Sequence, residues 1–209
     1  SQKESSSTIK VIEKSTDNDW MQNVIKLYHD NKYEEAEKLL LYERKNGNCS
    51  QDITYHMAYV CFNQKRYYDS LNELEKINSD RVEAIRRDGF KDNIFSLKAK
   101  NYIELKKYDE AIMLYEYLSK KNLEDINYKY RLAINYGLIN KPDKAIGLLE
   151  EINEETPGLL YIVKKLGHAY DMKKEYSKAR AYFKYSLRMD PDDKIINNRL
   201  KVYDQYLNY

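Results

Sequence analysis

The sequence predicts an all-α fold assembled from a repeated pair of helices, and three observations carry that prediction. Only six glycines and three prolines punctuate 209 residues, while Lys, Glu, Leu, Ile and Ala are frequent. Gly and Pro are the residues a helix tolerates least and the others lose little on entering one. Small residues recur at Ala36, Ser70, Ala111, Ala145 and Ala179, at intervals of 34, 41, 34 and 34. The 22 tyrosines favour strands by propensity alone, but they fall at helical spacing rather than in alternation.

Each small anchor has company at fixed offsets. Three residues before it stands Tyr33, Tyr67, Tyr108 or Tyr176, with Pro142 as the exception, and just ahead of these Lys32, Arg66, Lys107 and Lys141, with Glu175 breaking the run. A second small position recurs at Val24, Ala58, Ala99, Ala133 and Gly167, and a third register holds Leu27, Cys61, Tyr102, Tyr136 and Tyr170. The most complete copy runs from Leu166 to Pro191, with Leu166-Gly167, Tyr170, Ala179, Phe183 and a closing Asp190-Pro191.

This pattern resembles the tetratricopeptide repeat, whose period is 34 residues. The resemblance covers about residues 17–207, strongest in the last copy and weakest in the second. It implies an all-α, right-handed α-solenoid of helix-turn-helix repeats in which paired backbones approach at the two small positions, where a large side chain would hold them apart.

In chain order, residues 1–16 form a polar lead-in, and Thr16 followed by Asp19 marks a helix start. Repeats follow at about 17–50, with Trp20 at the signature aromatic position, and at 51–84, where Ser70 replaces the favoured Ala. An insertion at 85–91, within the stretch from Ser79 to Gly89, predicts a lengthened second helix or one added turn, capped near Gly89. Repeats resume at 92–125, where Phe95 fills the aromatic position and Lys98 replaces an apolar residue. They continue at 126–159, closed by Pro157-Gly158, and at 160–193. The segment 194–209 predicts a capping helix, with Ile196, Leu200, Tyr203 and Leu207 on one stripe and polar residues outside it.

Composition narrows the function classes. The 36 basic and 34 acidic residues leave a formal net charge of +2, without the clustered basic face that nucleic-acid binding needs. Cys49 and Cys61 are too few for a disulfide framework, and no stretch approaches the ~20 apolar residues of a membrane span. His29, His56 and His168 lie in different repeats without metal-ligand spacing. No phosphate loop or nucleophile elbow is present, so the sequence predicts neither catalysis nor a cofactor. Acidic pairs such as Glu150-Glu151 and Glu154-Glu155 read as solvated helix faces. Ser1 to Thr8 resembles the polar tether that follows the lipidated cysteine of bacterial lipoproteins. That predicts a lipid anchor upstream of Ser1 and an envelope location, against a trimmed tail on a cytoplasmic protein.

The resemblance also implies where a ligand lies, because members of this family hold peptides along the concave groove formed by their first helices. Carried onto this chain, those positions include Tyr28, Tyr55, Tyr59, Asn93, Lys100, Asn127, Tyr130, Tyr161, Lys164 and His168, with Asp171 alongside. Such a surface is rich in tyrosine and amide, with cationic points at Lys100 and Lys164, and suits a peptide backbone and its side chains. The expected function is a non-catalytic protein-interaction scaffold. The alternatives are the sensing arm of a larger protein and a co-chaperone-like adaptor. The carboxylate clamp of such adaptors uses Lys and Asn where the first repeat here has Met21 and Ile25.

Overall fold

The structure is a computed structural model and describes residues 19–77 and 89–206. The lead-in 1–16, the Thr16 cap, residues 85–88 of the insertion and Leu207 therefore lie outside the described residues. Eleven helices and no strand are found among the residues described: α1 (Asp19–His29), α2 (Tyr33–Lys45), α3 (Gln51–Asn63), α4 (Tyr67–Glu75), α5 (Phe90–Glu104), α6 (Tyr108–Lys121), α7 (Ile126–Leu138), α8 (Pro142–Glu155), α9 (Leu160–Met172), α10 (Tyr176–Met189) and α11 (Lys194–Tyr206). None is long and apolar enough to cross a membrane.

The chain divides into two compact units, Ser1–Leu105 and Lys106–Tyr209. In the first, α1 packs on α2, α2 on α3, α3 on α4 and α4 on α5; in the second, each helix from α6 to α11 packs on the next. The predicted small positions are the contacts. Ala36, Ser70, Ala111 and Ala179 are wholly buried, as are Val24, Ala58 and Ala99, with Ala133 and Ala145 nearly so. The approach is tight at Gly167, where an added Cβ would lie 2.5 Å from Cε1 of the fully buried Phe183. Only glycine lets α9 and α10 close to that distance.

The turns explain the recurring basic and aromatic residues. Asn31, Lys65, Lys106, Asn140 and Lys174 all adopt a left-handed backbone, with φ between 55° and 66°. Each follows a first helix. The residue immediately after it folds back, as in Lys32 N–H to Leu27 O at 2.8 Å and Arg66 N–H to Cys61 O at 2.8 Å. This is the Schellman arrangement, which satisfies carbonyls left over at a helix end. The following basic residue is then the N-cap of the second helix, and the tyrosine its first helical residue. Pro142 fits the same place because the first helical N–H has no partner within the helix.

Ser70 has a specific reason for not being Ala: the buried Asn101 side-chain amide donates to Ser70 Oγ at 2.9 Å and to Leu97 O at 2.8 Å. Two expectations change. Helix α4 stops at Glu75, so the second helix is not lengthened, while the alternative of one added turn lies outside the described residues; Ile77 is buried with Leu74, Ile94 and Leu97. Gly89, at φ 119°, is the N-cap of α5. On α11 the inner stripe Ile196, Leu200 and Tyr203 is buried as predicted, but Ile195 is 74% exposed, so the outer face is not purely polar.

Candidate functional site

In the first unit, the predicted ligand-facing tyrosines come together as a run of rings. The centroid of Tyr28 lies 4.9 Å from Tyr59 and 5.8 Å from His56; Tyr55 lies 5.6 Å from His56 and 5.5 Å from Phe90. All five are half-buried, so each is fixed by its neighbours and still presents surface. The run is anchored beneath by Trp20, whose ring meets His56 edge-on at 6.0 Å. The Tyr28 hydroxyl donates to His56 O at 3.1 Å and lies 3.3 Å from Nδ1 of the same residue. Burial, and after it the nearness of Tyr59, Tyr55 and Tyr33, pushes the Tyr28 phenol far above its ordinary pKa. Burial also lowers the His56 pKa, with Asp52 opposing, so the imidazole is neutral around pH 7. Asn93, on α5, is exposed, and Lys100 is partly buried.

The second unit treats its predicted residues differently. Tyr130 and the exposed Tyr161 meet edge-to-face at 5.0 Å. The Asn127 amide donates at 2.8 Å to Asp125, the N-cap of α7. Lys164 is a cationic point held from two sides, by Asp190 at 2.7 Å and Asp193 at 2.6 Å. The same Asp193 caps α11 through Ile195 and Ile196 N–H at 3.0 Å. Asp171 receives Arg199 on both carboxylate oxygens, at 2.7 and 2.5 Å. His168 keeps much of its surface in water while its ring meets Phe183 at 5.0 Å. That partial burial, then Lys165, lowers its pKa. The charged members of this set thus tie α9 to the start of α11 and to α11 itself.

The acidic pairs are not simply solvated faces either. Glu150 accepts the Tyr170 hydroxyl, and Lys129 is paired with Glu155 at 2.5 Å and Glu151 at 3.7 Å. Glu116 likewise accepts the Tyr136 hydroxyl; burial first, then that carboxylate, pushes Tyr136 up to about 12.

One feature escaped sequence reasoning. Between α6 and α8, over Leu132 of α7, runs a groove of about 400 Å³. A counterpart of about 260 Å³ lies between α2 and α4 at matching repeat positions. Leu132 and Tyr136 face away from Tyr130 and Ile134 on α7, as the 3.6-residue turn requires. The sequence signal was Gly147-Leu148, which stands where the second repeat has Asn72-Glu73.

A family profile described as tetratricopeptide repeat matches residues 163–193. No curated protein matches the chain by sequence. Among solved structures, YrrB, described as a TPR protein with an unusual peptide-binding site, superposes with a TM-score of 0.69 at 16% identity, over 93% of this chain and 97% of its own. MamA gives 0.65 at 18% identity, over 81% and 88%. A tetratricopeptide repeat protein from Parabacteroides merdae gives 0.72 at 17% identity, over 88% and 71%. At such identities the likeness is one of fold.

Proposed function

We propose that the chain is a protein-interaction scaffold, as its tetratricopeptide-repeat fold suggests, and that its ligand is a peptide held on the aromatic first-helix face of the first unit. The observation that carries this reading is the run Tyr59–Tyr28–His56–Tyr55–Phe90, with neighbouring rings 4.9 to 5.8 Å apart. Rings already fixed against each other offer broad contact area with little further ordering cost, the condition under which aromatic surfaces bind tightly. The Tyr130–Tyr161 pair is a smaller platform of the same kind in the second unit. The peptide-binding site in YrrB's description is consistent with this use of the fold. A carboxylate clamp is the weaker alternative, since Lys164 already faces two carboxylates.

The test is affinity enrichment from the native cell with the wild type, with Tyr55→Ala/Tyr59→Ala and with Tyr130→Ala/Tyr161→Ala, each verified as folded by circular dichroism. The first double variant loses the partner and the second weakens it. Retention of every partner by a folded Tyr55→Ala/Tyr59→Ala protein would refute the proposal.

A further inference from the structure

We propose that the groove between α6 and α8 of the second unit is a second docking site, on the side of α7 opposite Tyr130, and that it takes an acidic peptide carrying a leucine-like side chain. The argument comes from comparing it with the counterpart between α2 and α4. There, Arg44 of α2 reaches across to Glu73 of α4 at 2.8 Å, Lys76 adds a second contact to Glu73 at 2.7 Å, and Arg66 holds Glu37 at 2.5 Å. The first unit straps its own groove with ion pairs.

In the second unit the strap is missing from the same registers. Ser119 stands eight residues past its anchor, where Arg44 stands past Ala36; Leu148 stands three past Ala145, where Glu73 stands past Ser70. Asn72 is matched by Gly147, and a Cβ built there would meet nothing within 4 Å. What remains is an apolar trough walled by Leu123, which is 68% exposed, and Leu148, with Leu132 as its floor.

Charge decides the occupant. The two carboxylates of the groove are engaged from within the protein, Glu116 by the Tyr136 hydroxyl and Glu151 by Lys129 at 3.7 Å. Lys120 and Lys144 are both exposed at the mouth, Lys144 with its ammonium 4.8 Å over the Tyr136 ring. A trough that is apolar inside and cationic at the rim complements an apolar side chain flanked by carboxylates. Such a partner brings the acid that Glu73 supplies in the first unit.

The experiment uses the full chain and a fluorescein-labelled peptide, Glu-Leu-Glu-Glu-Leu-Leu-Glu-Asp, against the same peptide with every acid replaced by lysine. Fluorescence anisotropy is expected to show the acidic peptide binding at least about tenfold tighter than the lysine peptide, with the difference shrinking as salt rises. Ser119→Arg/Leu148→Glu, which rebuilds the first unit's strap, and Gly147→Trp, which fills the trough from a position with open space, should each weaken binding about tenfold or more. Tyr55→Ala/Tyr59→Ala should leave it unchanged, which separates this site from the aromatic face. The proposal is overturned if the acidic peptide does not bind the folded wild type, if the lysine peptide binds equally, or if the groove variants bind as well as wild type. It is also overturned if sedimentation shows a dimer that those variants abolish, since the occupant is then a second copy.

Discussion

The two units are built on one repeat template and differ in what they do with the positions the template leaves open. In the first, the groove between second helices is strapped by Arg44–Glu73 and Arg66–Glu37, while the first-helix face carries a run of partly exposed rings. In the second, the charges move to the first-helix side, where Lys164 and Asp171 are taken up by Asp190, Asp193 and Arg199. The strap positions of its groove become Ser119 and Leu148. The second unit's groove keeps an ion pair of its own, Lys129–Glu151 at 3.7 Å, but none at the registers of Arg44 and Glu73. Repeat identity says nothing about which side is open; the partners of a few charged residues do.

The largest expected effect tests the packing on which the second unit depends. Phe183→Ala removes a fully buried ring and should cost about 3–5 kcal/mol in urea unfolding. Gly167→Ala, whose Cβ meets that ring, should cost about 1–3 kcal/mol, and in the Phe183→Ala background that cost should disappear. A cost that persists there would mean the ring is not the obstacle.

A smaller change sharpens the contrast between the grooves. Arg44→Ala should cost about 1 kcal/mol. Burial alone would raise the Glu73 carboxyl, but hydrogen bonds from Arg44 and Lys76 outweigh it and hold it below its ordinary value. The substitution should therefore move the Glu73 pKa upward by carbon-13 NMR. Ser70→Ala removes one of the two acceptors of the buried Asn101 amide and should likewise cost about 1 kcal/mol.

The smallest effect is in pH dependence. His56 and His168 both have folded pKa values below the ordinary 6.5, so protonation favours the unfolded chain. Their contribution is present above about pH 6.5 and is lost as pH falls from there through the folded pKa. His56→Gln should flatten the loss of urea stability between pH 7 and pH 5 more than His168→Gln does, because His56 is enclosed by Trp20, Tyr28 and Tyr55. Equal flattening would contradict the enclosure.

Much of the fold was legible because it rests on residues that recur. The small positions at Ala36, Ala111 and Gly167 and the stripe Ile196, Leu200 and Tyr203 follow from period and volume, and both are buried. The turns were legible only in part. Lys65 and Lys174 take left-handed backbones that lysine does not advertise, held there by the hydrogen bonds of the helix ends they close. The candidate site was legible as a set of tyrosines, but Phe90 joins it from within the insertion, out of register with the other rings.

Taken alone, the sequence determined an all-α repeat fold and which side chains are buried, because helical period and residue size act locally and recur every 34 residues. Only the tertiary structure decided which charges are available to a partner. Lys164 and Asp171 read as surface groups open to ligand, yet their partners lie 26 and 28 residues away. Ion pairing across helices depends on side-chain reach and direction, and no period in the sequence records either.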